Sequence, residues 1–136
     1  MGANESNHAK GGTKKENKKD KKAANSSSKK IQSSVLIWGN GNNGQLGLTE
    51  KMQGTPSPLP IPTFNQVSIV SISCGTAHTA FLTSGGTVYM AGQGSLHRLG
   101  LGHDQDCWIP TINPFTEEYP VREVACGSTF TLFTTS

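Results

Sequence analysis

The chain is similar to itself. Val35-Leu36-Ile37-Trp38-Gly39-Asn40-Gly41 lines up with Val88-Tyr89-Met90-Ala91-Gly92-Gln93-Gly94 at an offset of 53, and in that register Leu46-Gly47-Leu48 falls on Leu99-Gly100-Leu101. Ile72-Ser73-Cys74-Gly75-Thr76 meets Val124-Ala125-Cys126-Gly127-Ser128 at an offset of 52, and Pro60 and Pro110 occupy similar places between these landmarks. A recurring unit of this size is one supersecondary element that buries its apolar face against its neighbour. Within each unit, short β-branched and aromatic runs are bounded by Gly, Pro, Asn and Ser, and no helical period lasts ten residues. The predicted strands are Val35–Gly39, Val67–Cys74, His78–Thr83, Val88–Gly92, Val121–Cys126 and Phe130–Thr134. Thr83-Ser84-Gly85-Gly86-Thr87 predicts a tight hairpin, because glycine supplies the positive φ that such turns need. Several short strands per unit at this period predict propeller blades. The expected fold class is all-β, a partial β-propeller of about two four-stranded blades over residues 34–136.

Trp38-Gly39-Asn40-Gly41-Asn42-Asn43-Gly44-Gln45-Leu46-Gly47-Leu48, then Ile72-Ser73-Cys74-Gly75-Thr76-Ala77-His78-Thr79, resemble the repeat of the regulator of chromosome condensation family. The resemblance implies a seven-bladed propeller, and work as a guanine-nucleotide exchange factor for a small GTPase, a chromatin-docking protein or a scaffold. It marks Trp38, Gly39, Gly44, Gln45, Leu46, Gly47, Cys74, Gly75, His78, Gly92, Leu99, Gly100, Cys126 and Gly127 as structural positions of the repeat. The second repeat departs from the first: His97-Arg98 replaces Gly44-Gln45, and Phe130 replaces His78. In the family's exchange factor for Ran, acidic or histidine groups important for exchange precede the repeat histidine. The matching positions here are Ala77 and Thr129, which cannot displace a nucleotide electrostatically, so no exchange signature is expected in these blades.

Closure of a propeller removes its sheet edges, and about two repeats fall short of a closed ring. Two blades are therefore expected to oligomerise or to pair with other propeller blades. The chain stops at Thr134-Thr135-Ser136 directly after a predicted strand, which reads as a truncation, an alternative product or an incomplete gene model.

Ahead of the repeats, residues 1–33 read as a disordered lysine-rich tail. Residues 1–30 hold nine lysines against Glu5, Glu16 and Asp20, a net of +6, whereas residues 31–136 carry a net of −3. With no aromatic side chain, the tail buries too little apolar area to offset its ordering entropy. It has no apolar h-region of a secretory signal, and the chain has no apolar run long enough to span a bilayer. An intracellular location is expected, with reduced Cys74, Cys107 and Cys126.

Two destinations stay open for the tail besides simple solvation. Lys14, Lys15, Lys18, Lys19, Lys21 and Lys22 can neutralise nucleic-acid phosphates or act as a nuclear address, without base stacking. Alternatively, Met1-Gly2-Ala3-Asn4-Glu5-Ser6 fits the myristoylation pattern at Gly2. Acyl chain and lysines together would hold an anionic membrane surface. The nuclear reading is preferred because it matches the resemblance and needs no modification. Asn4-Glu5-Ser6 and Asn25-Ser26-Ser27 fit the glycosylation sequon, expected unused without secretion.

Other constellations dissolve on inspection. Gly39-Asn40-Gly41-Asn42-Asn43-Gly44 is a literal GxGxxG, yet Gln45-Leu46-Gly47-Leu48 and prolines follow it where a dinucleotide fold needs a helix. Its glycines are read as turns. Cys74 and His78, with His103 and Cys107, have ligand-like spacings. The repeat instead makes Cys74 and Cys126 one blade position, read as a small hydrophobe, with His78 bonded to backbone inside its blade. Asp104 and Asp106 read as surface charge in an inter-strand loop. No nucleophile, base and orienting acid assemble, and no cofactor or metal is expected. The expected function is a regulatory protein-binding module, with a small GTPase and chromatin as implied partners. The alternatives are a myristoylated, membrane-tethered adaptor and a truncated fragment without independent function.

Overall fold

The computed structural model describes residues 35–49 and 51–136, so the tail lies outside the described residues, Gly2 and its lysines included. The described part is all-β, with eight strands: β1 Leu36–Asn40, β2 Gly54–Pro60, β3 Ile69–Cys74, β4 His78–Thr83, β5 Val88–Gly92, β6 Cys107–Ile112, β7 Val121–Cys126 and β8 Thr131–Thr135. Helical structure is limited to α1, Phe115–Glu118, and to 3-10 turns at Pro62–Phe64 and Ser95–His97. The predicted strands all form, with ends shifted by a residue or two. The predicted hairpin forms as well, closed by the Gly86 amide donating to the Thr83 carbonyl at 3.0 Å.

Two strands, β2 and β6, carry no period-two signal in the sequence. Gly-Thr-Pro-Ser-Pro-Leu-Pro and Cys-Trp-Ile-Pro-Thr-Ile read as punctuation because proline cannot donate to a ladder. Both are terminal strands of their sheets, β2 beside β1 and β6 beside β5, which is where proline is tolerated. The ladders also correct one alignment. Leu36 pairs with Pro60 and Tyr89 with Ile112, so the partner of Pro110 in the first repeat is Pro58 rather than Pro60.

Eight strands are two blades' worth, but the repeat and the sheet are offset by half a unit. β3-β4-β5-β6 form one four-stranded antiparallel sheet, while β1-β2 and β7-β8 form two-stranded sheets on either side. The whole sheet thus takes its first two strands from repeat one and its last two from repeat two. The two half-sheets flank it.

β4 is the middle of this arrangement, and His78 through Leu82 are buried in succession. The pleat explains why. Phe81 faces the β1-β2 side in a cluster with Leu46, Leu48, Ile61, Phe64 and Ala91, where Phe64 and Phe81 ring centroids lie 4.8 Å apart. Ala80 and Leu82 face the other way, with Val88, Met90, Leu99 and Val121 on the β7-β8 side. Each cluster is therefore the seam between neighbouring sheets, and burying a side chain such as Phe81 stabilises by about 1.5–3 kcal/mol.

Candidate functional site

The polar groups that recur in the repeat converge on these seams. On one side, the Thr79 hydroxyl donates to the Gln45 carbonyl at 2.8 Å. On the other, the Thr131 hydroxyl donates to the Arg98 carbonyl at 2.8 Å. Thr79 and Thr131 are matching positions, as are Gln45 and Arg98, so one inter-sheet bond is made twice. Because the carbonyl accepts, the replacement of Gln45 by Arg98 leaves the bond intact.

His78 sits beside the second of these bonds. It is fully buried, and its Nε2 lies 2.9 Å from Thr131 Oγ1. The Thr131 proton is directed to Arg98, so His78 Nε2–H is the donor. This corrects the expectation of a backbone bond within one blade: the histidine bridges two sheets. Its Nδ1 is buried without a hydrogen-bond partner, and a Cβ built on Gly75 would collide with the imidazole. Burial, then the nearby Arg98 guanidinium, hold the imidazole below its ordinary 6.5, opposed by a backbone hydrogen bond to Phe130. At neutral pH His78 is an uncharged structural group.

In the second repeat the Phe130 ring takes the corresponding place against Gly127. Both turns keep the same backbone bond, Gly75 N–H to His78 carbonyl and Gly127 N–H to Phe130 carbonyl, each 2.8 Å. The His-to-Phe change therefore spares the turn and alters only what reaches across to the next sheet.

Arg98 is also buried. Nε and Nη2 donate to the Ser95 carbonyl and hydroxyl at 2.9 and 3.2 Å, and Nη1 reaches the Ser128 carbonyl at 3.3 Å. The guanidinium thus ties the 3-10 turn to the β7-β8 connection. His97 beside it has φ 55, where the matching Gly44 has φ 80. The second repeat holds a side chain in the left-handed region that glycine occupies in the first, at a cost of about 1–2 kcal/mol.

The cysteines are structural, though not as expected. Cys126 donates its backbone N–H to Ser73 Oγ at 2.9 Å and its thiol to the Ser73 carbonyl at 3.3 Å, a further inter-sheet tie. Burial pushes the Cys126 and Cys107 thiols up, so neither is an activated nucleophile. Cys74, read as a small core hydrophobe, is exposed instead. Its strand β3 is the first of the whole sheet, and the β1-β2 half-sheet brings no matching strand to cover it. Asp106 is likewise more than surface charge, since its Oδ1 accepts the Gly94 amide at 2.9 Å across the β5-β6 loop.

The GxGxxG segment spends its amides on itself. Asn42 N–H donates to Asn40 Oδ1, Asn43 N–H to Gln45 Oε1, Gly44 N–H to the Gly41 carbonyl and Gly47 N–H to the Gly44 carbonyl, all at 2.9 Å. No cradle of free amides remains for a phosphate. Among the described residues no three His, Cys, Asp or Glu side chains gather as a metal site. Trp38, marked as structural, is exposed on β1, whereas Leu46 and Leu99 are core residues. Ala77 is buried and Thr129 exposed in the two turns that match the exchange positions.

Sequence reasoning missed Thr79, Thr131, Arg98 and Ser73 as the working polar groups. Extending the self-comparison to polar residues would have found the threonines, which stand 52 apart and identical.

Comparison with known proteins agrees with this geometry. The chain is 35% identical over 102 residues to the ultraviolet-B receptor UVR8 of Arabidopsis thaliana, covering 74% of the chain and 23% of the receptor. It is 34% identical over 102 residues to the mouse secretion-regulating guanine nucleotide exchange factor, covering 74% of the chain and 22% of that protein. It thus spans less than a quarter of either relative's length. The crystal structure of yeast RCC1 (Prp20) bound to Kap60 superposes with a TM-score of 0.66 at 21% identity, over 74% of this chain and 26% of that one, which shows the fold. The family model of the regulator of chromosome condensation (RCC1) repeat matches residues 32–82 and again 85–134, and with its two matching seams the chain belongs to that family.

Proposed function

We propose that the chain is a regulatory binding module whose partner is a protein, with a small GTPase as the partner class, and that its basic tail is a nuclear or chromatin arm. One observation carries the reading. The seam polar groups Thr79, Thr131, His78 and Ser73 are consumed in holding sheets together, so what remains for a partner is exposed turn and loop surface. That surface includes the loop 102–106 and the stacked rings of Phe115 and Tyr119, 4.8 Å between centroids. The GTPase class comes from relatives named for guanine-nucleotide exchange and GTPase regulation.

Binding without exchange is the expected behaviour, because Ala77 and Thr129 carry no charge to compete with a nucleotide. The test combines surface binding to GDP-loaded, GTP-analogue-loaded and nucleotide-free small GTPases with release of a labelled nucleotide. Saturable binding to at least one form with unchanged release supports the reading. A rate increase of about tenfold, about 1.4 kcal/mol of barrier, would make this chain an exchange factor in its own right. Binding to none removes the GTPase from the proposal.

A further inference from the structure

Seven prolines stand in the sequence, and only Pro56 and Pro58 follow a serine or threonine. Both lie in β2, where Thr55-Pro56-Ser57-Pro58 departs from the regular ladder. Ile37 pairs with Leu59 and Gly39 with Thr55, so Pro56, Ser57 and Pro58 together stand against Trp38 alone. Neither proline has an N–H, and each holds the residue before it extended. The bulge is fixed by its own threonine: the Thr55 hydroxyl donates to the Ser57 carbonyl at 2.9 Å and accepts the Ser57 amide at 3.3 Å. The two hydroxyls of the segment therefore differ. Thr55 is half-buried and its hydroxyl is engaged, whereas Ser57 is exposed and its hydroxyl has no hydrogen-bond partner among the described residues.

The second repeat builds the same bulge inside the whole sheet. Met90 pairs with Thr111 and Gly92 with Cys107, which leaves Trp108, Ile109 and Pro110 against Ala91. By these ladders Ser57 matches Ile109, and Pro58 matches Pro110. Here the loop of the preceding repeat lies against the strand: a Cβ on Gly44 would lie 2.9 Å from the Cys107 carbonyl oxygen, and one on Gly47 2.8 Å from Pro110 Cγ. Ile109 is nevertheless 50% exposed. The Thr111 hydroxyl holds the Ile109 carbonyl at 3.0 Å, as Thr55 holds that of Ser57. The middle of the bulge thus faces outward even with a neighbouring repeat packed beside it. The exposure of Ser57 rests on the shape of the bulge rather than on what precedes Val35.

We propose that Ser57 is the phosphate acceptor of a proline-directed protein kinase. Phosphoryl transfer needs a free hydroxyl that can be brought in line with the γ-phosphorus. A kinase groove that offers no acceptor to the following amide selects proline at that place. Ser57 meets both demands, and Thr55 only the second. The Ser57 Oγ attacks the γ-phosphorus of magnesium-bound ATP supplied with the kinase. The new O–P bond forms as the bond from the γ-phosphorus to the bridging oxygen breaks, ADP leaves, and the hydroxyl proton passes to a base of the kinase. The product sets about −1.5 to −2 charges on a strand that has no charged side chain.

The full chain is incubated with a purified proline-directed serine/threonine kinase and γ-labelled magnesium ATP, and the label is placed by fragmentation mass spectrometry. Label is expected on Ser57, with Thr55 unlabelled as the internal control. Ser57→Ala is expected to lose the label and Ser57→Thr to restore it. Pro58→Ala is expected to lose it with the hydroxyl still present. Both positions are exposed, and circular dichroism checks that each variant keeps the wild-type strand signal. An unlabelled Ser57 in the wild type overturns the proposal. Label shared equally with Thr55 also overturns it, because the hydrogen bonds of the bulge would then select nothing. Label surviving Pro58→Ala does so as well, since exposure alone would then admit a kinase. Should a variant lose the strand signal, the wild-type map of Ser57 against Thr55 decides.

Discussion

One hydroxyl in the second seam serves two bonds, since Thr131 donates to the Arg98 carbonyl and accepts from His78. Thr131→Val removes both bonds and takes from the buried imidazole its side-chain partner, a cost of about 1–3 kcal/mol. Thr79→Val loses a single bond to Gln45, about 1 kcal/mol. Urea melts of the two variants are expected to rank Thr131→Val as the more damaging; equal midpoints would mean the bridge to His78 adds nothing. The histidine makes a separate prediction about pH. Its folded value lies below 6.5, so the unfolded chain takes up a proton that the folded chain refuses. This contribution is present above 6.5 and declines as pH falls below it, by at most about 1.4 kcal/mol per pH unit. His78→Phe, the residue that the second repeat uses, is expected to flatten the fall in melting temperature between neutral and mildly acidic pH. An unchanged slope would place the titration elsewhere.

At the scale of elements, the strands are held by the loops that cross them. Gly47 has φ 60, and a Cβ there would lie 2.8 Å from the Cγ of Pro110, on the very strand that periodicity did not reveal. Gly102 also has positive φ, 80, but a Cβ there would meet nothing within 4 Å. Both alanine variants carry the left-handed strain of about 1–2 kcal/mol, and only Gly47→Ala adds a collision with β6. Thermal melts should show Gly47→Ala as the lower of the two. Were they equal, the Gly47 loop would not be packed on β6 as described. Such strands escape sequence reading because their pairing is fixed by what flanks them, and Pro58 and Pro110 tolerate it only at a sheet's terminal strand.

For the whole molecule, charge and apolar surface are divided along the chain, with a tail of net +6 set against repeats of net −3. If the tail is a nuclear or chromatin arm, Gly2→Ala leaves cellular location unchanged. Replacing Lys14, Lys15, Lys18, Lys19, Lys21 and Lys22 then shifts it. Cell fractionation checks both halves of this prediction, and release from membranes by Gly2→Ala alone would favour the acylated anchor. Salt cannot make the distinction, because lipid and nucleic-acid contacts are both screened.

The repeat by itself determined the fold class, the strand-rich units and the turn glycines, because propensity, punctuation and periodicity are local properties that recur whenever the unit recurs. It also argued against reading Gly39–Gly44 as a dinucleotide loop, since no helix pattern follows Gly44. Tertiary structure alone decided where one sheet ends and the next begins. The boundary of a repeat is a matter of alignment, whereas the boundary of a sheet is set by hydrogen bonds between strands of different repeats. Packing likewise decided the role of His78: its spacing is the same whether it bonds within a blade or across a seam, and only the approach of Thr131 selects the second. Trp38 shows the same limit from the other side. Its repeat position marks it for a buried seam, and its exposure follows from the absence of any described strand to cover it.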